Sequence, residues 1–310
     1  MSRYIYLHLI IIMWGFTAIL AKSISIHSEE IVFYRSLLAS CSIGLWLIYK
    51  KKNVRLDKKI VTKALLNGAL ICLHWLFFFL AGRLSTLSIS LIGVATTSFW
   101  VSLIEPIIAK RKIRTYEIVL GLMVVLGIYV IFHSESLYWG GLLSALLSAI
   151  FAAVFTVING TTLSKYDGSV VTFFEMTGAC LTSMVIFPLY IRFFAHRAID
   201  LALVTFSDVF YLLMMSLLCT SVAYIVLLDI MKKITPFTVT LNSNLEPIYG
   251  MTFAILIFGN KEVLNLNFYI GSALVLIPVF LHSYFSITTS RSISNRPTPP
   301  PTAGPARSYP

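Results

Sequence analysis

The sequence predicts an all-α polytopic membrane protein, with ten transmembrane helices arranged as two inverted five-helix repeats. Three observations point there: an apolar composition, ten apolar runs of spanning length, and loops whose positive charge alternates from one run to the next. Of the 310 residues, 58% are hydrophobic and 12% charged, with a mean hydropathy of +0.86. A soluble chain carries about 25% charged residues, and the 24 Lys and Arg with 13 Asp and Glu found here would not cover a soluble surface of this size. The composition excludes a disordered chain, a disulfide-framed secreted domain and a nucleic-acid-binding domain. Cys41, Cys72, Cys180 and Cys219 each lie in an apolar run and form no CxxC pair, so they read as small buried apolar residues.

An α-helix needs about 20 apolar residues to cross the hydrocarbon core. Ten runs meet that length: 4–22, 29–49, 60–82, 87–109, 115–133, 138–159, 168–192, 208–230, 236–258 and 266–286. The first lacks the small-residue cleavage pattern of a signal peptide around Trp14-Gly15-Phe16. With the N-terminus in the cytoplasm, eighteen Lys and Arg fall on the inside and five (Lys22, Arg83, Arg192, Arg197 and Lys261) on the outside; Arg35 lies within a run and completes the 24. That asymmetry predicts both termini cytoplasmic. The net charge of +11 is thus a signature of topology, not a partner-binding surface.

The second half repeats the first. IVFYRSLLASC at 31–41 aligns with VTFFEMTGACL at 171–181, setting Arg35 opposite Glu175, and Gly121 aligns with Gly271. Five helices per copy is odd, so the second copy enters the membrane from the opposite face, an architecture common in secondary transporters. The dipeptides Glu105-Pro106 and Glu246-Pro247 invite direct alignment, but equal span lengths favour a register that sets Pro247 opposite Ser98. The repeats are expected at 1–133 and 134–286, followed by a disordered Pro-rich cytoplasmic tail at 287–310, where Pro297 to Pro301 lie.

Several segments resemble the EamA-type transporters of the drug/metabolite transporter superfamily. They are WGFTAILAK at 14–22, Tyr34-Arg35, His74-Trp75, SLIEPIIAKRKI at 102–113, VINGTTL at 157–163, FFEMTG at 173–178 and LEPIYG at 245–250. The resemblance spans about residues 4–285. It departs at Gly259-Asn260, where the family often carries Gly-Glu; Glu262 follows two residues later. It implies a carrier in the bacterial inner membrane with a central cavity, moving amino acids or other small metabolites, often by export. Family members differ in substrate, so the solute does not follow.

Ionisable groups inside a span are costly and usually face a cavity or a partner. In the ninth run Thr238, Asn242, Glu246 and Tyr249 recur on one helical face, beside a helix-breaking Pro247. Glu246 and Asn242 are candidates to contact solute or a coupling proton. Arg35 and Glu175, matched in the repeat, are expected to pair with each other, to recognise a zwitterion, or to bond locally. His74 can carry protons near neutral pH. Ser98, Ser102 and Glu105 form a polar stripe in the fourth run, with Glu105 as a salt bridge or gate beside Lys110, Arg111, Lys112 and Arg114. Trp14, Trp75, Phe77, Trp100 and Tyr224 are candidates to stack on solute. Asn159-Gly160 reads as a helix terminus, and Asp229 as an ion-pair partner of Lys232 or Lys233.

No HExxH, Walker A or GxSxG pattern is present, so neither catalysis, ATP nor a cofactor is expected. The expected partners are a small-molecule solute and membrane lipid, possible proton coupling, and a monomer or homodimer. The rival readings are a membrane-embedded enzyme acting on lipid-linked substrates and a non-transporting scaffold. The first is disfavoured because the polar residues run through the depth of the bilayer and do not cluster at one interface, the second because Glu246, Asn242 and Arg35 would then be costs with no return.

Overall fold

A computed structural model describes residues 2–85, 87–132, 139–192, 205–258 and 266–294. Arg197, Lys261, Gly259-Asn260, Glu262 and Pro297 to Pro301 lie outside the described residues. The helices are α1 (Ser2–Ser23), α2 (Ser28–Tyr49), α3 (Lys58–Leu84), α4 (Leu87–Ala95), α5 (Thr97–Ala109), α6 (Thr115–Phe132), α7 (Trp139–Thr161), α8 (Gly168–Tyr190), α9 (Phe206–Ser216), α10 (Ala223–Met231), α11 (Pro236–Ser243), α12 (Glu246–Phe258) and α13 (Leu266–Ser294). Among the described residues, six helical stretches are long and apolar enough to cross a membrane, and shorter apolar helices accompany them. α13 continues to Ser294, so residues 287–294 extend a helix where a disordered tail was expected to begin.

The helices fall within the ten apolar runs, but the fourth and ninth runs are each broken in two. In the fourth, Thr96 is a turn between α4 and α5. Thr96 Oγ1 donates to the Gly93 carbonyl at 2.6 Å and Thr97 Oγ1 to the Val94 carbonyl at 2.5 Å. These hydroxyls satisfy carbonyls that a broken helix leaves open in an apolar medium. In the ninth, Asn244 and Leu245 form the turn, and Pro247 sits in the first turn of α12, where a missing N–H costs nothing. The break therefore precedes Pro247. In the register that pairs Ser98 with Pro247, Thr96 falls opposite Leu245, so both repeats break at the same place.

A third irregularity is the π-helical stretch Leu217–Val222 between α9 and α10. Its hydroxyls bond back five residues, Thr220 Oγ1 to the Met215 carbonyl at 3.0 Å and Ser221 Oγ to the Ser216 carbonyl at 2.9 Å. The widened turn loosens the normal i→i−4 ladder, a feature frequent at functional sites.

Packing mixes the two halves of the sequence. α3, α4, α5, α7 and α8 pack together, and α1 packs with α9–α10 and α11–α12; α2 joins the two groups, lying chiefly against α8 and also against α9, α11 packs against α5 and α7 as well, and α6 lies against α13. Each bundle thus takes helices from both repeats. The α3–α8 contact is backbone-close: a Cβ on Gly68 would stand 2.0 Å from the Glu175 carbonyl oxygen, and one on Gly178 would stand 2.2 Å from that of Leu65. Beside it, the Asn67 amide donates to Glu175 Oε1 at 2.6 Å and to Asn159 Oδ1 at 2.8 Å, joining α3, α8 and α7. All three side chains are fully buried. Asn159-Gly160 lie in the last turn of α7, at a helix end as expected, and Asn159 is in addition part of this buried network.

At the edge of the spans, Asp167 caps α8, accepting from the Ser169 and Val170 N–H groups at 3.0 and 3.3 Å and from the Ser169 hydroxyl. Lys52, beyond α2, reaches it at 2.6 Å and ties the two bundles together. Partial burial alone would raise the Asp167 pKa, but the hydrogen bonds from Lys52, Ser169 and Val170 hold it down at about 2. Asp229 pairs with Lys232 at 2.5 Å.

Two outcomes are expected. Asp167→Ala should lower stability at neutral pH by about 0.5–2 kcal/mol, the usual worth of an N-cap. Because the folded pKa is depressed, the wild-type advantage is present above pH 3.8 and fades as pH falls through about 2. Thermal unfolding of the two proteins across that range checks it. Separately, Asn67→Ala removes the donor to Glu175 and should cost about 1–3 kcal/mol by the same measurement.

Candidate functional site

A chamber of about 100 Å³ lies between the two bundles. One wall carries Trp14 and Thr17 of α1, Arg35 of α2, Tyr224 of α10, and Thr240, Ser243, Asn244 and Glu246 of the broken ninth run. The other carries His74, Trp75 and Phe78 of α3, Val94, Ala95 and Thr97 around the α4–α5 break, and Ala152, Phe155 and Thr156 of α7.

The chamber is anchored on the π-helical stretch. Its Cys219 carbonyl accepts from Trp14 Nε1 at 3.1 Å and from an Arg35 terminal nitrogen at 3.4 Å. Arg35 Nε donates to Thr220 Oγ1 at 2.6 Å, and its guanidinium lies 4.2 Å above the Trp75 ring. A guanidinium has five N–H donors; those not engaged here remain for a chamber occupant. Glu246 lines the same chamber, with Arg35 as the cation in electrostatic range.

Tyr224 is the hub of an aromatic box. It meets Trp14 edge-on at 6.0 Å and Trp75 at 6.1 Å, and stacks near Phe155 at 6.4 Å. His74 Nδ1 is held by Ser148, whose hydroxyl lies at 2.8 Å and carbonyl at 3.1 Å. That leaves Nε2 as the free ring nitrogen. Carboxylate, guanidinium, imidazole and flat aromatic faces therefore surround one space. Such a set can hold a small zwitterion with an apolar body.

Other sequence candidates lie elsewhere. Arg35 and Glu175 make no ion pair with each other: Glu175 bonds Asn67 on the far side of α3, and Arg35 is taken by the π-helical stretch. Thr238, Asn242, Glu246 and Tyr249 do not share a face, because the Asn244–Leu245 turn resets the helical phase. Glu246 lines the chamber, whereas Thr238 bonds His282 Nε2 at 2.8 Å and the Asn242 amide donates to the Thr238 carbonyl at 2.7 Å. Tyr249 and Asn242 line a second cavity, where the Tyr249 hydroxyl lies 3.3 Å from His8 Nδ1.

The fourth-run stripe also disperses. Ser98 accepts from the Asn244 amide at 3.0 Å, so the two helix breaks touch, and Ser102 donates to the Phe99 carbonyl at 2.7 Å. Trp100 packs edge-on against Phe99, away from the chamber. Glu105 pairs with Arg111 at 3.3 Å and accepts the Phe237 N–H at 3.2 Å, capping the start of α11 from the end of α5. Arg111 also holds Glu117 at 2.6 Å. These two carboxylates raise the Arg111 pKa against the lowering effect of partial burial.

Sequence reasoning missed Thr17, Phe78, Thr97, Phe155, Thr156, Thr240, Ser243 and Asn244. Asn244 alone gave a signal, a polar residue beside Pro247 in an apolar run.

The EamA-like transporter family matches residues 1–133 and 139–284. No curated protein matches the chain. Among solved structures, one crystal structure described only as a protein aligns with a TM-score of 0.70 at 13% identity, over 90% of this chain and 95% of that chain. At that identity the likeness is one of fold. Two matched repeats covering nearly all of the described helices show that the chain belongs to the EamA-like transporter family, membrane transporters of small solutes within the drug/metabolite transporter superfamily.

Proposed function

We propose that the protein is a secondary transporter of small organic solutes, amino acids or related zwitterions among them, in the bacterial inner membrane. Ten crossings form two inverted five-helix repeats, with both termini cytoplasmic. The single observation that carries the solute class is Glu246 and Arg35 on one chamber walled by Trp14, Trp75 and Tyr224. A carboxylate and a guanidinium offer an ammonium and a carboxylate their opposite charges, and the aromatic faces accommodate the body between them.

The mechanism we infer is alternating access, with two groups of helices rocking around the chamber; the chamber's position between groups that each draw on both repeats supports it. Among the contacts between the two groups, three lie at successive depths: Arg35 on Trp75, Asn244 on Ser98, and the Phe237 N–H on Glu105. On the proposed topology they lie toward the outer face, at mid-membrane and toward the cytoplasm. Releasing the first opens the chamber outward and releasing the last opens it inward, in the export direction or its reverse. Glu246 and His74 are the chamber groups through which a proton would couple.

Counterflow of labelled amino acids in proteoliposomes tests this reading. Glu246→Gln and Arg35→Lys should each lower exchange of a zwitterionic solute by about tenfold, equivalent to ~1.4 kcal/mol of binding. Lysine lacks the planar fork that meets Thr220 and Cys219 together. Exchange and thermal stabilisation by no member of an amino-acid panel would overturn it.

A further inference from the structure

The second cavity is larger than the chamber, about 450 Å³, and lies between the first half of α1, the α11–α12 turn and α13. Its apolar walls include Leu245, Ile248, Leu276 and Val279. Its polar groups are the His8 ring, the Tyr249 hydroxyl and Asn242. At the rim Phe280 is 69% exposed and Tyr4 is 36% exposed, so the cavity opens sideways.

The broken ninth run lines both this cavity and the chamber. Ser243, Asn244 and Glu246 face one space, and Asn242, Leu245, Ile248 and Tyr249 face the other. The seam beside this wall is closed by backbone contact: a Cβ on Gly15 of α1 would stand 3.1 Å from Gly250 N and 3.3 Å from the Glu246 carbonyl oxygen. The turn is held by short-range bonds, the Asn244 and Leu245 N–H groups donating to the Leu241 and Asn242 carbonyls at 3.3 and 3.0 Å, and i→i−3 bonds of this kind have poorer geometry than the i→i−4 bonds of the flanking helices.

We propose that this cavity is a lateral vestibule through which amphipathic small molecules pass between the cytoplasmic leaflet and the chamber, with the α11–α12 turn as its gate. The occupant is a molecule with one hydrogen-bonding head and an apolar body. The volume lies within the range of small-molecule sites, roughly 300–1,000 Å³. No charged side chain lines it among the described residues, so it admits without selecting for charge, whereas Arg35 and Glu246 across the wall select. The hydrogen-bonding trio of His8, Asn242 and Tyr249 favours a polar head over a lipid tail, which has nothing to offer these groups. The cytoplasmic side and the route into the chamber rest on the transporter reading above; occupancy of the cavity does not.

The test uses the full-length protein in nanodiscs and, as probe, a diazirine-bearing primary alkylamine, with adducts mapped by mass spectrometry. Adducts should concentrate on residues 242–249 and 276–280. Leu276→Trp, which fills the cavity, should abolish them, and Tyr249→Phe, which removes one hydroxyl and keeps the fold, should lower them about fivefold, the worth of one hydrogen bond. Adducts spread equally over other exposed apolar residues, such as Leu126 and Leu181, would overturn the proposal. So would labelling of the cavity by a photoreactive phospholipid that the amine does not displace. Because the readout is labelling and not transport, it can fail while the counterflow reading stands, or the reverse.

Discussion

The structure depends on one constraint: a backbone group freed inside an apolar medium must find a partner in the protein. Three helical irregularities free such groups, at Thr96, at Leu217–Val222 and at Asn244–Leu245; the first and third border the chamber, and the second supports it through Trp14 and Arg35. Each is met differently. Hydroxyls on adjacent residues answer the first, Trp14 and Arg35 answer the Cys219 carbonyl of the second, and the third is joined to the first through Asn244 and Ser98. A site built this way needs no loop at the centre of the membrane. Its polar groups arrive as the partners that broken helices require.

Arg35 illustrates how closely structure and site are joined. A guanidinium in a span is costly unless every part of it is occupied. Thr220 and the Cys219 carbonyl take two of its donors and the Trp75 ring covers one face, and Arg35 lines the chamber. The same anchoring contacts fix the ring of Trp14 and leave Trp75 facing Tyr224, so the charge and the aromatic box share one support. Trp75 belongs to the opposite bundle, which makes this support sensitive to the bundles' relative position.

Much of the fold could be read from the sequence, because apolar runs bounded by Lys and Arg fix where helices lie. Glu246, Arg35, His74, Trp14 and Tyr224 were legible for a related reason: ionisable or aromatic residues in such runs stand out. The break at Thr96 was not legible, since Thr-Thr-Ser is compatible with a continuous helix and only the tertiary partner Asn244 shows why it turns. The π-helical stretch left no mark either; LLCTSV carries no proline or glycine. The stripe of Thr238, Asn242, Glu246 and Tyr249 failed for a definite cause. Helical periodicity holds only while the helix does, and after the two-residue turn Glu246 lines the chamber while Asn242 and Tyr249 line the second cavity and Thr238 bonds His282.

Glu175 and Glu246 show why depth alone does not identify a functional acid. Both are carboxylates in apolar runs, and the repeat sets Glu175 opposite Arg35. Yet Glu175 sits where α3 and α8 touch through Gly68 and Gly178, leaving no room for an occupant, and its hydrogen-bonding partner is the amide of Asn67. Glu246 opens α12 immediately after a turn, on a wall shared by two cavities. What separates them is the packing of their neighbours. Glycines at a helix contact squeeze a polar group into a structural joint, while a break in the helix leaves space beside it. Both acids lie in the second repeat, so the difference arises within one copy: the close contact at Gly68 and Gly178 makes Glu175 part of a joint, and the break at Asn244–Leu245 sets Glu246 beside open space.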